Sequence, residues 1–435
     1  MNLKSIFSGI LLLIITVSCT NRQKVENALR AIDVESSINN MQQINLSRFA
    51  DNIRYIALEN NADISIADYP SFDISDNLIL TFDRELSLLM FDMSGRLKVK
   101  FGKRGRGPEE YQDIKNLCLG KDNKVYFNNM YDLLEFDPDG SFTRKYSKSI
   151  QVDDTYYLHQ WGIVEDSLIF GHIQNDSGQT KYKAILVNKY GKVRHYYQNH
   201  DLLENKGSRI VGGFTQIFRF NGKLYFKEQF NDTLFSLNAD YELIPEYCFN
   251  LGNLKMPASV RVNFYEYFEK INDYIAIEDI FQTVDYLFLK VNFGNRFPAK
   301  RLTARPIESP APGIVSTNSA RVWTNTTFCL GIYDKKTGEL HFCEPTSTDN
   351  PLFTSGICND IDAGPRFFPR KLINDSTMVM TISAKDLKNH IASADFKNAV
   401  PKYPEKKKQL EELANSLSEF DNPILMFVTF KNKSD

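Results

Sequence analysis

Two short stretches of this chain gather side chains that could do chemistry. Gly102-Lys103-Arg104-Gly105-Arg106-Gly107-Pro108-Glu109-Glu110-Tyr111 holds guanidinium, carboxylate and aromatic groups close together. Arg104 and Arg106 could grip a carboxylate or sulfate through paired N–H donors, with Tyr111 stacking on a sugar ring. The same residues also have an architectural reading, in which Glu109 or Glu110 pairs with an arginine and the glycines permit a turn between repeats. The second stretch, Asn359-Asp360-Ile361-Asp362-Ala363-Gly364-Pro365, presents Asp360 and Asp362 in alternation. They could face Ca²⁺, but such a site takes about six to eight oxygens. No Asp-x-Asp-x-Asp-Gly loop is present, and hydrogen bonding within an Asx-type turn competes with the calcium reading.

Other chemistries leave no signature. The six His are scattered, His195 and His200 have a poor ligand spacing, and no HExxH occurs. Cys118, Cys248, Cys329, Cys343 and Cys358 follow Cys19 without any CxxC spacing, so no zinc site is expected. Cys343 and Cys358 could pair in an oxidising compartment, but buried free thiols are the favoured reading. There is no nucleophile elbow, P-loop or dinucleotide fingerprint. His159 and Trp161 sit in an aromatic cluster that could line a ligand face or pack between repeats. Net charge is −2, from 52 basic and 54 acidic residues without a basic stripe, which excludes a nucleic-acid partner.

The elements that must position these residues follow a beat. Apolar strand patterns run into a tight turn at Gly95, Gly140, Gly191, about Asp240, and Gly338, spaced by roughly 45–51 residues with one interval of twice that. Several strands per period of this length indicate a β-propeller, and six or seven blades of ~45 residues fill the chain. The aromatic content of 13% suits pleated, half-buried strands. Two irregular zones, Phe264 to Lys290 and the proline-bearing Phe297 to Ser319, explain the long interval as a full blade plus insertions. Leu410, Leu413 and Leu417 mark an amphipathic helix with Pro404 near its start, within a helical insertion at about 384–420. A strand at 424–430 follows, and an early strand around Tyr55–Leu58 is expected to pair with it and close the ring.

The N-terminus reads as an export signal. Lys4 precedes an apolar stretch from Ile6 to Val17, too short to span a membrane, and Thr16-Val17-Ser18-Cys19 ends it. Small residues before Cys19 resemble a bacterial lipoprotein box. That resemblance implies cleavage after residue 18, acylation of Cys19, and a polar tether over residues 19–47 before a propeller over 48–435.

The Gly102–Tyr111 and Asn359–Pro365 stretches, the latter followed by Phe368-Pro369, and Glu419-Phe420-Asp421-Asn422-Pro423-Ile424-Leu425 resemble, in this order, the hallmarks of the six-bladed β-propeller lipoproteins of Bacteroides and relatives. The family is related in repeat style to NHL-type propellers and is largely of unknown function. The resemblance implies an all-β fold, one six-bladed propeller with a short C-terminal helix, anchored in the cell envelope. Surface-exposed lipoproteins of these bacteria often carry acidic residues after the lipidated Cys. Thr20-Asn21-Arg22-Gln23-Lys24 is basic instead, which implies an outer-membrane anchor facing the periplasm. The functional expectation is a binding module for a glycan or an envelope protein, with Arg104, Arg106, Glu109, Tyr111, Asp360 and Asp362 as ligand candidates and no cofactor beyond a weak Ca²⁺ option. The alternative is a propeller enzyme, a lactonase or a glycan hydrolase or lyase, with carboxylates or His converging on the central channel.

Overall fold

The computed structural model describes residues 29–107, 109–120, 122–129, 132–146, 158–165, 168–204, 213–296, 328–345 and 356–431. They form six sheets arranged as the blades of a propeller, each built on four antiparallel strands. Blade 1 comprises Asp73–Ile74, Leu78–Phe82, Leu88–Asp92 and Leu97–Phe101; blade 2 comprises Lys115–Leu119, Val125–Asn129, Asp132–Phe136 and Phe142–Tyr146. Blade 3 runs through Leu158–Glu165, Leu168–Ile173, Tyr182–Asn188 and Val193–Gln198, and blade 4 through Thr215–Phe220, Lys223–Glu228, Thr233–Leu237 and Leu243–Asn250. Blade 5 holds Ala276–Gln282, Tyr286–Asn292, Phe328–Asp334 and Leu340–Cys343. Blade 6 takes Lys371–Asn374, Thr377–Ile382 and Ile424–Phe430 from the C-terminal part of the chain, and its outer strand, Ala50–Ala57, from the N-terminal part.

Burial follows directly from this arrangement. The middle strands of a blade face neighbours on both sides and are apolar on both, as in Leu88–Asp92, where only the last residue is not buried. Outer strands alternate towards solvent, as in Leu97–Phe101. Six apolar clusters mark the six blade interfaces. One, for instance, packs Leu80 and Met90 of blade 1 on Phe127 and Phe136 of blade 2. Another packs Ile56, Leu425 and Phe427 of blade 6 on Ile79, Leu89 and Phe91 of blade 1, and thereby completes the ring.

The sequence beat is the hairpin between the third and outer strands of blades 1–5. An Asx side chain opens each of several turns and caps its amides: Asp92 Oδ1 accepts from Ser94 N at 2.8 Å and Arg96 N at 3.2 Å, and Asn188 Oδ1 accepts from Tyr190 N and Lys192 N in the same pattern. Gly95 closes its turn at φ 84°, and a Cβ there would collide with the Ala57 carbonyl oxygen of the closing strand. Blade 6 has no such turn because its outer strand arrives from elsewhere in the chain. The long interval between the turns at Asp240 and Gly338 holds blade 5 and, before it, the connection Leu251–Ile275; the irregular zone expected from Phe264 is regular strand from Ala276 to Gln282, and the one expected at Phe297 to Ser319 lies outside the described residues.

Closure also follows the expectation. Ile424–Phe430 pairs antiparallel with Ala50–Ala57, Leu425 opposite Ile56 and Phe427 opposite Arg54. The expected tether over residues 19–47 requires correction from Arg30 onward. Arg30–Asp33 adds a parallel fifth strand outside blade 4, and Met41–Gln42 adds another outside blade 5. Ile32 and Val34 are fully buried between these blades. Strands this short carry no readable periodicity. Cys19 and the expected signal segment lie outside the described residues.

The expected helical insertion resolves into Ala384–Ala392, Ala394–Asn398 and Pro404–Ser416. Leu387, Phe396, Leu410 and Ala414 pack onto the blade 5–6 interface, with Leu413 and Leu417 partly buried beside them. No helix among the described residues is long and apolar enough to cross a membrane.

Candidate functional site

Strand direction sorts the loops onto two faces. Connections between successive blades, and between second and third strands within a blade, share one face, here termed the upper face. All candidate residues lie there, at separate stations around the ring: Arg104–Tyr111 joins blades 1 and 2, and Asp360 and Asp362 precede blade 6.

In the first loop Arg104, Arg106 and Glu109 are exposed, whereas Tyr111 is fully buried. The Tyr111 hydroxyl donates to the Leu86 carbonyl at 2.7 Å, and its ring meets Phe127 edge-on at 4.8 Å. The expected stacking of Tyr111 on a sugar is therefore corrected: the ring is core, because the glycines let the loop fold it inward. Gly102, at φ 74°, leaves the space into which that ring fits. Glu110 accepts from Gly107 N at 2.9 Å and lies 3.7 Å from Lys103, so lysine takes the role expected of an arginine.

The two aspartates serve different partners. Asp360 accepts from the Ser47 amide and hydroxyl at 2.9 and 2.5 Å, fastening the N-terminal segment. Asp362 Oδ1 accepts from Asn359 Nδ2 at 2.6 Å, Gly364 N at 2.8 Å and the Tyr55 hydroxyl at 3.2 Å. Burial pushes the Asp362 carboxyl above its ordinary range against the pull of these donors. This geometry is that of the Asx turn. Among the described residues no group of three or more His, Cys, Asp or Glu is placed to hold a metal ion. Cys118, Cys248, Cys329, Cys343 and Cys358 are free thiols, so the weighed Cys343–Cys358 pair is not formed. Trp161 is buried between blades 2 and 3, its indole N–H donating to Asn128 Oδ1 at 2.6 Å, which is the packing role. Two inner-strand carboxylates are paired: Asp73 with Lys371 of the next blade's inner strand at 2.6 Å, and Asp279 with Lys290 of the second strand of blade 5 at 3.2 Å.

Among the described residues, a concave feature of the upper face lies between blades 4 and 5, at a cavity of about 250 Å³. The connection from Leu251 to Ile275 makes one wall. It departs from the strand rhythm as the helix Phe264–Lys270, which Asn263 caps by accepting from Tyr265 N and Glu266 N. Met256, Val260 and Tyr267 form a small core with Phe230 and Phe268 beneath it. The cavity is lined by Phe214, Phe230, Tyr267, Phe268 and Tyr274, by the amides Gln174, Gln229, Asn272 and Asn292, and by Asp232, Lys255 and Glu278. Burial pushes the Glu278 carboxyl up, partly offset by Lys290 at 3.1 Å.

A buried ion network fixes the opposite wall. Lys227 Nζ donates to the Glu228 and Asn231 carbonyls at 2.6 and 2.5 Å, shaping the turn that carries Gln229 and Phe230. Burial lowers the Lys227 ammonium to about 8, with Asp232 and Glu228 opposing. Burial alone would raise Glu228, but His172 at 3.6 Å and Lys183 at 2.5 Å hold it down at about 2. Arg261 caps the arrangement, its guanidinium 4.2 Å from the Phe230 ring centre and 3.0 Å from Asp201. None of these wall residues was singled out from sequence. The signal was the aromatic run Phe264-Tyr265-Glu266-Tyr267-Phe268, which is out of step with the strand rhythm.

Comparison with known proteins supplies fold and family. An exported-protein structure from Bacteroides fragilis is similar at 15% identity and a TM-score of 0.63, covering 93% of this chain and 100% of its own. A member of the DUF4221 family from Bacteroides vulgatus is similar at 11% identity and a TM-score of 0.52, covering 88% and 99%. Likeness at these identities shows the fold alone. No curated protein matches the chain. The family model described as domain of unknown function DUF4934 matches residues 29–429, and the chain belongs to that family.

Proposed function

We propose that this protein is a binding module of the bacterial cell envelope, anchored through an acylated Cys19, and that the blade 4–5 cavity takes a carbohydrate. One observation carries the reading. The blade interfaces are packed with apolar side chains, yet an insertion outside the strand rhythm builds an aromatic and amide-lined bay on the upper face. The C–H face of a sugar ring suits an aromatic surface, and amides and carboxylates together serve hydroxyls that both donate and accept. Two carboxylates at the lining, with Lys255 already held by Asp232 at 2.5 Å, disfavour an anionic ligand. The alternative enzyme needs free carboxylates on the channel, and the pairing of Asp73 with Lys371 across the inner strands of blades 1 and 6 leaves that carboxylate partnered. The periplasmic face of the outer membrane is the proposed location, on the basic residues after Cys19.

The test is a thermal-shift screen of the purified protein against sugars, with Ala276→Trp, which fills the cavity, as the control. A sugar at 100 times its Kd should stabilise the protein by about 2.7 kcal/mol. The Ala276→Trp variant should melt where the wild type does without sugar and show no shift with it. A shift that survives the variant places the ligand elsewhere, and no shift with any sugar rejects the carbohydrate reading. For the anchor, Cys19→Ser should move the protein out of the membrane fraction.

A further inference from the structure

The cavity does not end at its own walls. Phe268, which lines it, meets Phe264 with ring centres 4.8 Å apart, and Phe264 meets Tyr265 at 6.0 Å. Inward, Phe268 meets Tyr267 at 5.2 Å, and Tyr267 meets Phe230 at 6.3 Å. Five rings thus form a continuous path from the cavity floor to the surface. From Tyr267 outward the exposure rises, from 5% there to 38% at Phe264 and 83% at Tyr265. Phe214, 53% exposed, stands at the cavity mouth as a further ring. Single exposed apolar residues are unremarkable, but a contiguous run that leads into a pocket marks a binding surface.

We propose that the site takes an oligosaccharide end-on, its terminal sugar in the cavity and the following sugars along Phe264 and Tyr265. The inference rests on the carbohydrate reading given above and deepens it. The Phe264–Phe268 and Phe264–Tyr265 contacts are edge-to-face, so the run presents a stepped aromatic surface. The path is open outward and closed inward, where Tyr267 packs on Phe230 and Phe230 on Arg261. A chain end fits this shape and a chain interior does not. A lipid tail is disfavoured by Asp232, Lys255 and Glu278 at the cavity.

The experiment is calorimetric titration with glucose, galactose, mannose and N-acetylglucosamine, and with the di-, tri- and tetrasaccharides of whichever binds. Kd should fall about three- to tenfold per added unit, up to the trisaccharide. Tyr265→Ala should return the trisaccharide to within about twofold of the monosaccharide and leave the monosaccharide unchanged. Tyr265→Trp should keep the gain. Equal affinity for monosaccharide and trisaccharide overturns this inference while leaving the cavity reading standing. So does a Tyr265→Ala variant that weakens both alike. If none of these sugars binds, the carbohydrate reading fails and this inference with it. Tyr265-dependent capture of an envelope protein without sugar binding overturns both.

Discussion

Tyr111 and Asp362 are loop residues that could reach a ligand but are buried and hydrogen-bonded within the fold. Tyr111 sits among glycines and arginines yet is core, so Tyr111→Phe should cost about 1 kcal/mol by removing the bond to the Leu86 carbonyl. Arg104→Ala with Arg106→Ala should change stability by less than about 0.5 kcal/mol, since both are exposed. Urea denaturation of the variants separates the two cases. Asp362 makes a pH prediction. Its carboxyl holds a proton to higher pH folded than unfolded, because it is buried. Its contribution is therefore full below the ordinary carboxylate pKa and fades as pH rises through the folded value. Wild-type stability should fall relative to Asp362→Asn from about pH 4 upward, read as the difference in urea midpoints across pH. A constant difference would mean that Asp362 titrates alike in both states.

At the scale of elements, the N-terminal segment is a strap that covers two sheet edges. Arg30–Asp33 and Met41–Gln42 pair with the outer strands of blades 4 and 5, and an uncovered edge is a template for association. Removing residues 29–43 leaves the closing strand intact but exposes both edges and removes Ile32 and Val34 from the blade 4–5 core. Burial of two such side chains is worth about 3–6 kcal/mol. The shortened protein should fold, melt at a lower temperature and self-associate in light scattering, whereas an unchanged melting point and a monomeric state would show the strap to be dispensable. The helical wall at Leu251–Ile275 is the other element with consequences, because it creates the cavity rather than the blades themselves.

At the scale of the whole molecule, the ring is closed by a sheet made from both ends of the chain. Ile424–Phe430 is the third strand of blade 6 and pairs on one side with Thr377–Ile382 and on the other with Ala50–Ala57. Deleting residues 423–435 removes both pairings and opens the blade 6–1 interface at Leu425 and Phe427. The deletion should abolish the cooperative thermal transition or lower it far more than loss of the strap does, as followed by circular dichroism. Melting within a few degrees of wild type would mean that closure contributes little.

The periodic turns, the apolar third strands and the closing pair were all determined by sequence, because blade repetition imposes local patterns: Asp92 or Asn188 opening a turn and runs such as Leu88-Leu89-Met90-Phe91. The Leu410–Leu417 helix was legible for the same reason, its period being its own. Only the tertiary structure decided the orientation of Tyr111, since a ring in a glycine-rich loop can point either way until Phe127 and Leu86 surround it. Only it showed that Asp360 and Asp362 fasten the N-terminal segment, because Ser47 and Tyr55 lie some three hundred residues away in sequence. The cavity was hidden for a related reason. Phe230, Tyr267, Phe268 and Glu278 come from a turn, a helix and a strand that no sequence spacing connects, and they meet because blades 4 and 5 bring their upper loops together.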